Sequence, residues 1–330
     1  MTVTRRTFVS GAAAGVALFA IGRPAQAQAT VMRFGHPHPT SDSWQTASLA
    51  FADKVKAKTG GKIEVQVFPN GALGSDPQMI SAVRGGTLDI TLTGNPFFTG
   101  MAPQLNVLDL PFLFDSRAHA ARVLDGAIGE GLRKDLEGSN LKALATWEVG
   151  WRNLTNSRRP VATAADIKGL KIRTTPNPAH VKAFQLLGAA PTPMPFTELF
   201  TALETKTVDG QENPVTLILN AKFYEVQKHL SLTRHAFTSA PLVMNKQKFD
   251  ALAPDLQKAL VETAIEMAAA QRKMNEDAEG SSLAELKKNG MQAVESPDRE
   301  SFSKIVTEEV RKEFVGKFGS MVLDAIVKAA

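Results

Sequence analysis

The chain has 330 residues, 43% of them hydrophobic and 22% charged, which is too long for one typical domain and predicts two. It contains no cysteine, which excludes disulfides, cysteine nucleophiles and cysteine-ligated zinc or iron–sulfur sites. The formal charge of +5 includes Arg5, Arg6 and Arg23 of the first 29 residues, a segment with no acid; without those three it is +2, too weak to suggest nucleic acid.

Residues 1–27 read as an export signal. Thr4-Arg5-Arg6-Thr7-Phe8-Val9 has the form of a twin-arginine motif, and the apolar stretch 9–22 is too short to be a comfortable membrane span. Ala25-Gln26-Ala27 has the small-x-small form of a cleavage site. A general secretory signal with two incidental arginines is the alternative, and either route predicts a periplasmic mature protein.

The spacing then predicts a strand at 31–35, a helix at 43–59, a strand at 63–68, a helix at 77–84 and a strand at 87–92. This β-α-β-α-β order implies a parallel sheet covered by helices. The run 105–114 is dense in apolar residues and reads as core, and 141–146 is a strand leading into Trp147. A second module follows. Leu170 and Ile172 alternate with Lys171 and Arg173 on a strand at 170–174. Asn177 and Pro178 open a helix that Gly188 ends. A proline-punctuated strand at 190–195, a helix at about 197–206 and a strand at 208–211 complete it. Arg173 stands near the carboxyl end of its strand, where open α/β sheets hold their ligands.

The two modules match at one junction. Ala82-Val83-Arg84-Gly85-Gly86-Thr87-Leu88-Asp89 aligns with Ala202-Leu203-Glu204-Thr205-Lys206-Thr207-Val208-Asp209 at the helix end and strand start. Two similar α/β lobes with a crevice between them describe a clamshell binding protein. The stretch 254–289 keeps a helical pattern long enough to reach roughly 50 Å at 1.5 Å per residue. Gly280-Ser281-Ser282 is expected to kink or break it. Two amphipathic helices, marked by Phe302, Ile305, Val306 and Val310 and by Met321, Leu323 and Ile326, close the chain.

Three runs carry a resemblance: TNSRRPVATAADIKGLKIRTTPNP at 155–178, GAAPTPMPFTELFTALETKTVDGQENP at 188–214 and AKFYEVQKHLSLTRH at 221–235. In this order they resemble the solute-binding subunit of TRAP transporters, the DctP type. The resemblance implies a two-lobed α/β periplasmic binding fold with parallel-rich sheets, hinge strands crossing near Gly150 and again near 237–241, and a long helix spanning both lobes. Lobe I is then 28–149 plus about 238–279, and lobe II is 150–237 plus about 280–330. Its partners are a small carboxylate ligand and the small and large integral membrane subunits of a permease driven by an ion gradient. The protein is expected to be a monomer without a cofactor or metal.

The resemblance also assigns the site. Arg173 matches the main carboxylate clamp, since a guanidinium offers two parallel donors to a carboxylate. A structural ion pair is the alternative. Arg152, in Gly150-Trp151-Arg152-Asn153-Leu154-Thr155-Asn156, matches a second ligand arginine, against the alternative that it pairs with Glu148. Asn213 matches a ligand amide and Phe196 an aromatic wall. Asn95 follows the third strand of the first module, and His36 and His38 follow its first strand; the resemblance implies that these strand ends face the crevice, with Trp151 and Glu148 flanking the same region. His36-Pro37-His38 lacks a third nearby ligand, which argues against a metal. No G-x-S-x-G, P-loop, G-x-G-x-x-G or H-E-x-x-H run is present, so the chain does not read as an enzyme. A binding protein feeding a sensor kinase, or a periplasmic enzyme, are the rival readings.

Overall fold

A computed structural model describes residues 29–330. The export-signal expectation for residues 1–27 lies outside the described residues.

Strand β1 (Thr30–Gly35), helix α1 (Ser43–Lys58), β2 (Ile63–Phe68), α2 (Asp76–Arg84) and β3 (Ile90–Leu92) form the first module. Helices α3 (Arg117–Asp125) and α4 (Ala127–Lys134) lead to the 16-residue strand β4 (Leu141–Asn156). The second module is β5 (Lys171–Thr174), α5 (Pro178–Leu186), β6 (Ala190–Pro193), α6 (Leu199–Glu204) and β7 (Gly210–Asn213). It is followed by α7 (Val215–Asn220), the 17-residue β8 (His229–Asn245), α8 (Lys246–Asp250), α9 (Pro254–Lys288), β9 (Gln292–Val294), α10 (Arg299–Phe318) and α11 (Met321–Lys328).

The strands form one continuous sheet in the order β2-β1-β3-β8-β4-β7-β5-β6, with β9 beside β8. Its two ends mirror each other. In each module the first strand lies between the second and third, and both pairings are parallel. The long antiparallel pair β4 and β8 joins the modules, one half of each strand serving each side.

The repeated junction has a physical counterpart in both halves. Asp89 Oδ2 accepts from the Arg33 backbone N–H at 2.7 Å, and Asp209 Oδ2 accepts from the Lys171 N–H at 2.9 Å. Each aspartate, just before the third strand of its module, thus ties it to a backbone N–H of the first strand. Gly210 follows Asp209 because β7 runs against β4: a Cβ there would sit 2.2 Å from the Thr155 carbonyl oxygen. Gly150 has φ +124 where the β4–β8 register slips, and a Cβ would meet Pro214 Cγ at 3.2 Å.

Helix α9 is a single 35-residue helix, not a broken one. Its early face packs Leu260, Ala264, Met267 and Ala268 onto the first module's core. Its late face packs Leu283 and Leu286 onto the core built by Leu199, Leu203, Val208 and Phe223. A Cβ on Gly280 would meet nothing, so that glycine lies on the open side while buried neighbours hold the helix across it. Anchoring at both ends outweighs the roughly 1 kcal/mol preference against an interior glycine. The closing helix α11 rests on α3, where His119 Nε2 meets the Ile326 carbonyl at 2.9 Å.

Candidate ligand site

The carboxyl ends of the parallel strands of both modules face each other across a small cavity. One wall comes from the first module and holds His38, Asp76, Gly94, Pro96 and Phe97. The other holds Arg173, Thr175, Phe196 and Asn213, and the crossing strands supply Val149, Arg152 and Thr238.

Arg173 sits on the same side of β5 as exposed Lys171, yet it is only 1% exposed because the far wall covers the strand end. Its Nε and Nη2 both donate to the Met194 carbonyl, at 3.0 and 2.7 Å. Among the described residues no acceptor meets Nη1. Burial, then the neighbouring Arg152, lowers its pKa to about 10, which leaves it charged at neutral pH. It is thus a buried cation held along one edge by a neutral carbonyl.

Arg152 is committed differently. Its Nε and Nη2 form a buried bidentate pair with the Glu212 carboxylate, and Nη2 reaches the Glu212 carbonyl at 2.5 Å and Asn213 Oδ1 at 3.2 Å. His235 Nε2 stands 3.3 Å from Glu212 Oε2. Burial pushes the Glu212 carboxyl up, but Arg152 and then His235 outweigh it and hold it well below the ordinary range. The Asn213 amide donates to Gln211 Oε1 at 2.6 Å. Arg152 and Asn213 therefore line the cavity with most of their bonding capacity already used.

Across from Arg173, the Asp76 carboxylate is fully enclosed. Its Oδ2 accepts from the Phe196 backbone N–H at 3.2 Å, a bond from one module to the other. Burial raises its pKa, only partly opposed by Phe196 and Arg173. His38 stacks on Trp44 with centroids 3.7 Å apart and an interplanar angle of 9°, and it tilts against Phe196 at 5.2 Å. Its Nδ1 is held at 3.0 Å by Asp42, which also caps α1 through the Trp44 N–H.

Of the residues expected at the site, Arg173, Arg152, Asn213 and Phe196 line this cavity and four do not. His36 is fully buried with Nε2 on Gln45, and burial lowers its pKa to about 4, so it is a neutral core side chain. Its place is taken by His38, two residues on. Asn95 turns away to Asp109 and the Leu105 carbonyl, while Gly94 and Pro96 on either side reach the cavity. Trp151 packs edge-on against Phe237 at 5.3 Å. Glu148 pairs with Arg117 and accepts from Asn275 Nδ2 at 3.0 Å on the α9 side. The partner of Arg152 is Glu212, not Glu148. Of the histidine pair expected after the first strand, His38 is the one that reaches the cavity, and sequence reasoning missed Glu212 and Asp76. Asp76 had a local signal, since Ser75-Asp76-Pro77 is a helix start with its acid in the first turn.

The profile of the bacterial extracellular solute-binding protein family 7, DctP, matches residues 34–317. The chain belongs to this family. As a DctP-type protein it is a solute-binding protein of the TRAP class, and several of its relatives are named as binding proteins. It is 45% identical over 302 residues to the 2,3-diketo-L-gulonate-binding periplasmic protein YiaO of Escherichia coli, covering 92% of this chain and 91% of that one. A TRAP periplasmic solute-binding protein of Polaromonas bound to D-erythronate superposes with a TM-score of 0.88 at 41% identity, over 90% of this chain and 98% of that one. The sugar acid binding protein DctPAm of Advenella mimigardefordensis in complex with galactonate gives 0.88 at 38% identity, over 91% and 97%. Among the described residues no helix is long and apolar enough to cross a membrane.

Proposed function

We propose that this DctP-type protein captures a small hydroxylated monocarboxylate, of the sugar-acid class, in the periplasm as a monomer. It closes its two halves over the acid and hands it to the small and large membrane subunits of an ion-gradient-driven permease. The observation that carries the ligand class is Arg173, a buried guanidinium with one edge on a neutral carbonyl and no acceptor at Nη1. A ligand carboxylate completes that pair in a site shielded from water, where charge-assisted bonds are strongest. The opposite wall holds a buried carboxyl, Asp76, beside His38. That wall suits hydroxyl groups, which donate to a carboxylate, and it disfavours a second ligand carboxylate. Relatives named for diketogulonate, erythronate and galactonate point the same way. The export-signal reading of residues 1–27, with Arg5 and Arg6, supports the periplasm.

Closure follows from the geometry of a ligand that touches both walls. Such a ligand binds the closed state better and shifts the population toward it. In a thermal-shift screen, aldonates such as D-galactonate and D-erythronate raise the melting temperature, succinate does so less, and neutral galactose does not. A hundredfold excess over Kd stabilises the folded state by about 2.7 kcal/mol. A neutral sugar that stabilises the protein while every acid fails refutes the ligand class.

A further inference from the structure

His38 borders the cavity, and its ring is held on several sides. It stacks on Trp44 and leans on Phe196, which sets the plane of the ring. Its backbone carbonyl accepts from the Asn70 N–H at 2.9 Å, which sets the loop. Nδ1 lies 3.0 Å from Asp42 Oδ1. Nε2, on the other edge of the ring, has no partner among the described residues, and unlike Nδ1 of His36 it is not sealed in.

Asp42 is buried and is not one of the cavity-lining side chains. Three donors converge on its carboxylate. Oδ1 accepts from the Trp44 N–H at 3.0 Å, Oδ2 accepts from Asn220 Nδ2 at 3.3 Å, and the third donor is the His38 ring. Burial pushes the Asp42 carboxyl up, but His38, Trp44 and Asn220 outweigh it and hold it below its ordinary value. An ionised carboxylate only accepts. The proton shared with His38 therefore sits on Nδ1, and a neutral ring keeps its lone pair on Nε2.

We propose that Asp42 is a positioning residue for recognition: it holds the proton of His38 on Nδ1, so that Nε2 offers a lone pair to a hydroxyl of the bound acid. This rests on the reading that the ligand is a hydroxylated acid. A hydroxyl can donate to that lone pair. A methylene, a keto oxygen or a second ionised carboxylate cannot. Asp42 thus adds selectivity without touching the ligand. Without it the ring can carry its proton on Nε2, and the wall presents a donor where it had an acceptor.

Three variants separate the parts. Asp42→Ser keeps a hydroxyl for the Trp44 N–H but is too short to reach the ring. Asp42→Asn keeps an oxygen for both. His38→Phe keeps an aromatic face on Trp44 and removes Nε2. The first readout is the ring-nitrogen spectrum of ¹⁵N-labelled, ligand-free protein at pH 8, above the ordinary histidine value of about 6.5. The chain has six histidines, and His38→Phe identifies the signals of this one. Wild type and Asp42→Asn should show a protonated Nδ1 and a bare Nε2. Asp42→Ser should show the proton moved toward Nε2. The second readout is calorimetric affinity for D-galactonate and D-erythronate against succinate, which has no hydroxyl. The ratio of aldonate to succinate affinity should fall about tenfold in His38→Phe, the size expected for one lost hydrogen bond. It should fall about threefold to tenfold in Asp42→Ser and stay within about twofold of wild type in Asp42→Asn. The Asp42→Ser/His38→Phe double variant should match His38→Phe alone, because Asp42 acts only through the ring. A wild-type ring with its proton on Nε2 overturns the proposal, and so does an Asp42→Ser ring identical to wild type. A double variant that binds clearly worse than His38→Phe also overturns it. If neither aldonate binds wild type, the ligand reading fails by itself, and the ring spectrum alone decides whether Asp42 sets the tautomer.

Discussion

Glu212→Leu lowers the unfolding free energy by about 3–5 kcal/mol, because it leaves the buried Arg152 guanidinium without its counter-charge. Arg152 spends its Nε and Nη2 on that one carboxylate, and both side chains are almost completely enclosed. Urea unfolding of the ligand-free protein measures the loss. Pairing the change with Arg152→Met should recover most of it, since a buried ion pair replaced by apolar side chains of similar volume is often neutral or better. The pair also carries a pH signature. The Glu212 carboxyl is held below its ordinary value of 4.5 in the folded state. Its stabilisation is therefore fully present above that value and is lost as pH falls below it toward the folded pKa. Acid unfolding of Glu212→Gln should be correspondingly less steep below about pH 4.5. A Glu212→Leu protein as stable as wild type would show that the pair contributes nothing net.

Arg173→Ala, by contrast, folds with little loss and fails to bind. In the closed protein the guanidinium is buried, so truncation strands the ligand carboxylate. That costs about 2–5 kcal/mol, or roughly thirtyfold to several-thousandfold in Kd. Arg173→Lys recovers only part of this. The Met194 carbonyl already takes two donors from the guanidinium, and an ammonium cannot serve that carbonyl and a carboxylate with the same planar geometry. Calorimetric titration beside ligand-free melting curves separates binding from folding. An Arg173→Ala protein that binds normally removes the clamp, and one that melts far below wild type makes the arginine structural.

The architecture was legible where periodicity and punctuation agreed. Both β-α-β-α-β modules were readable, and so was their kinship, because Leu88-Asp89 and Val208-Asp209 do the same job at the same place. Of the four cavity residues that emerged from sequence, Arg152, Asn213 and Phe196 came from motif resemblance alone, whereas Arg173 also stood near the carboxyl end of its strand. The miss at Glu148 has a simple cause. Four residues apart on a helix is one turn, but on a strand it is about 13 Å. Arg152 could not reach Glu148 along β4, whereas β7 pairs beside it with Asn153 opposite Asn213 and Leu154 opposite Glu212. That register is a tertiary fact. His38 replaced His36 for a similar reason: its ring is fixed by Trp44 on the next helix and Phe196 on the other half. Gly280 was a valid local weakness that packing at both ends of α9 overrode.

On the proposed function, Arg173 holds an acid between two closing walls. A crystal structure of the protein with D-galactonate, or with whichever aldonate stabilises it most, tests this directly. The ligand carboxylate should lie within about 3 Å of Arg173 Nη1, with its hydroxyl chain toward Asp76 and His38 and the Asp76–Phe196 bond formed. A carboxylate placed away from Arg173, or a ligand bound to one half with the other standing open, would contradict it.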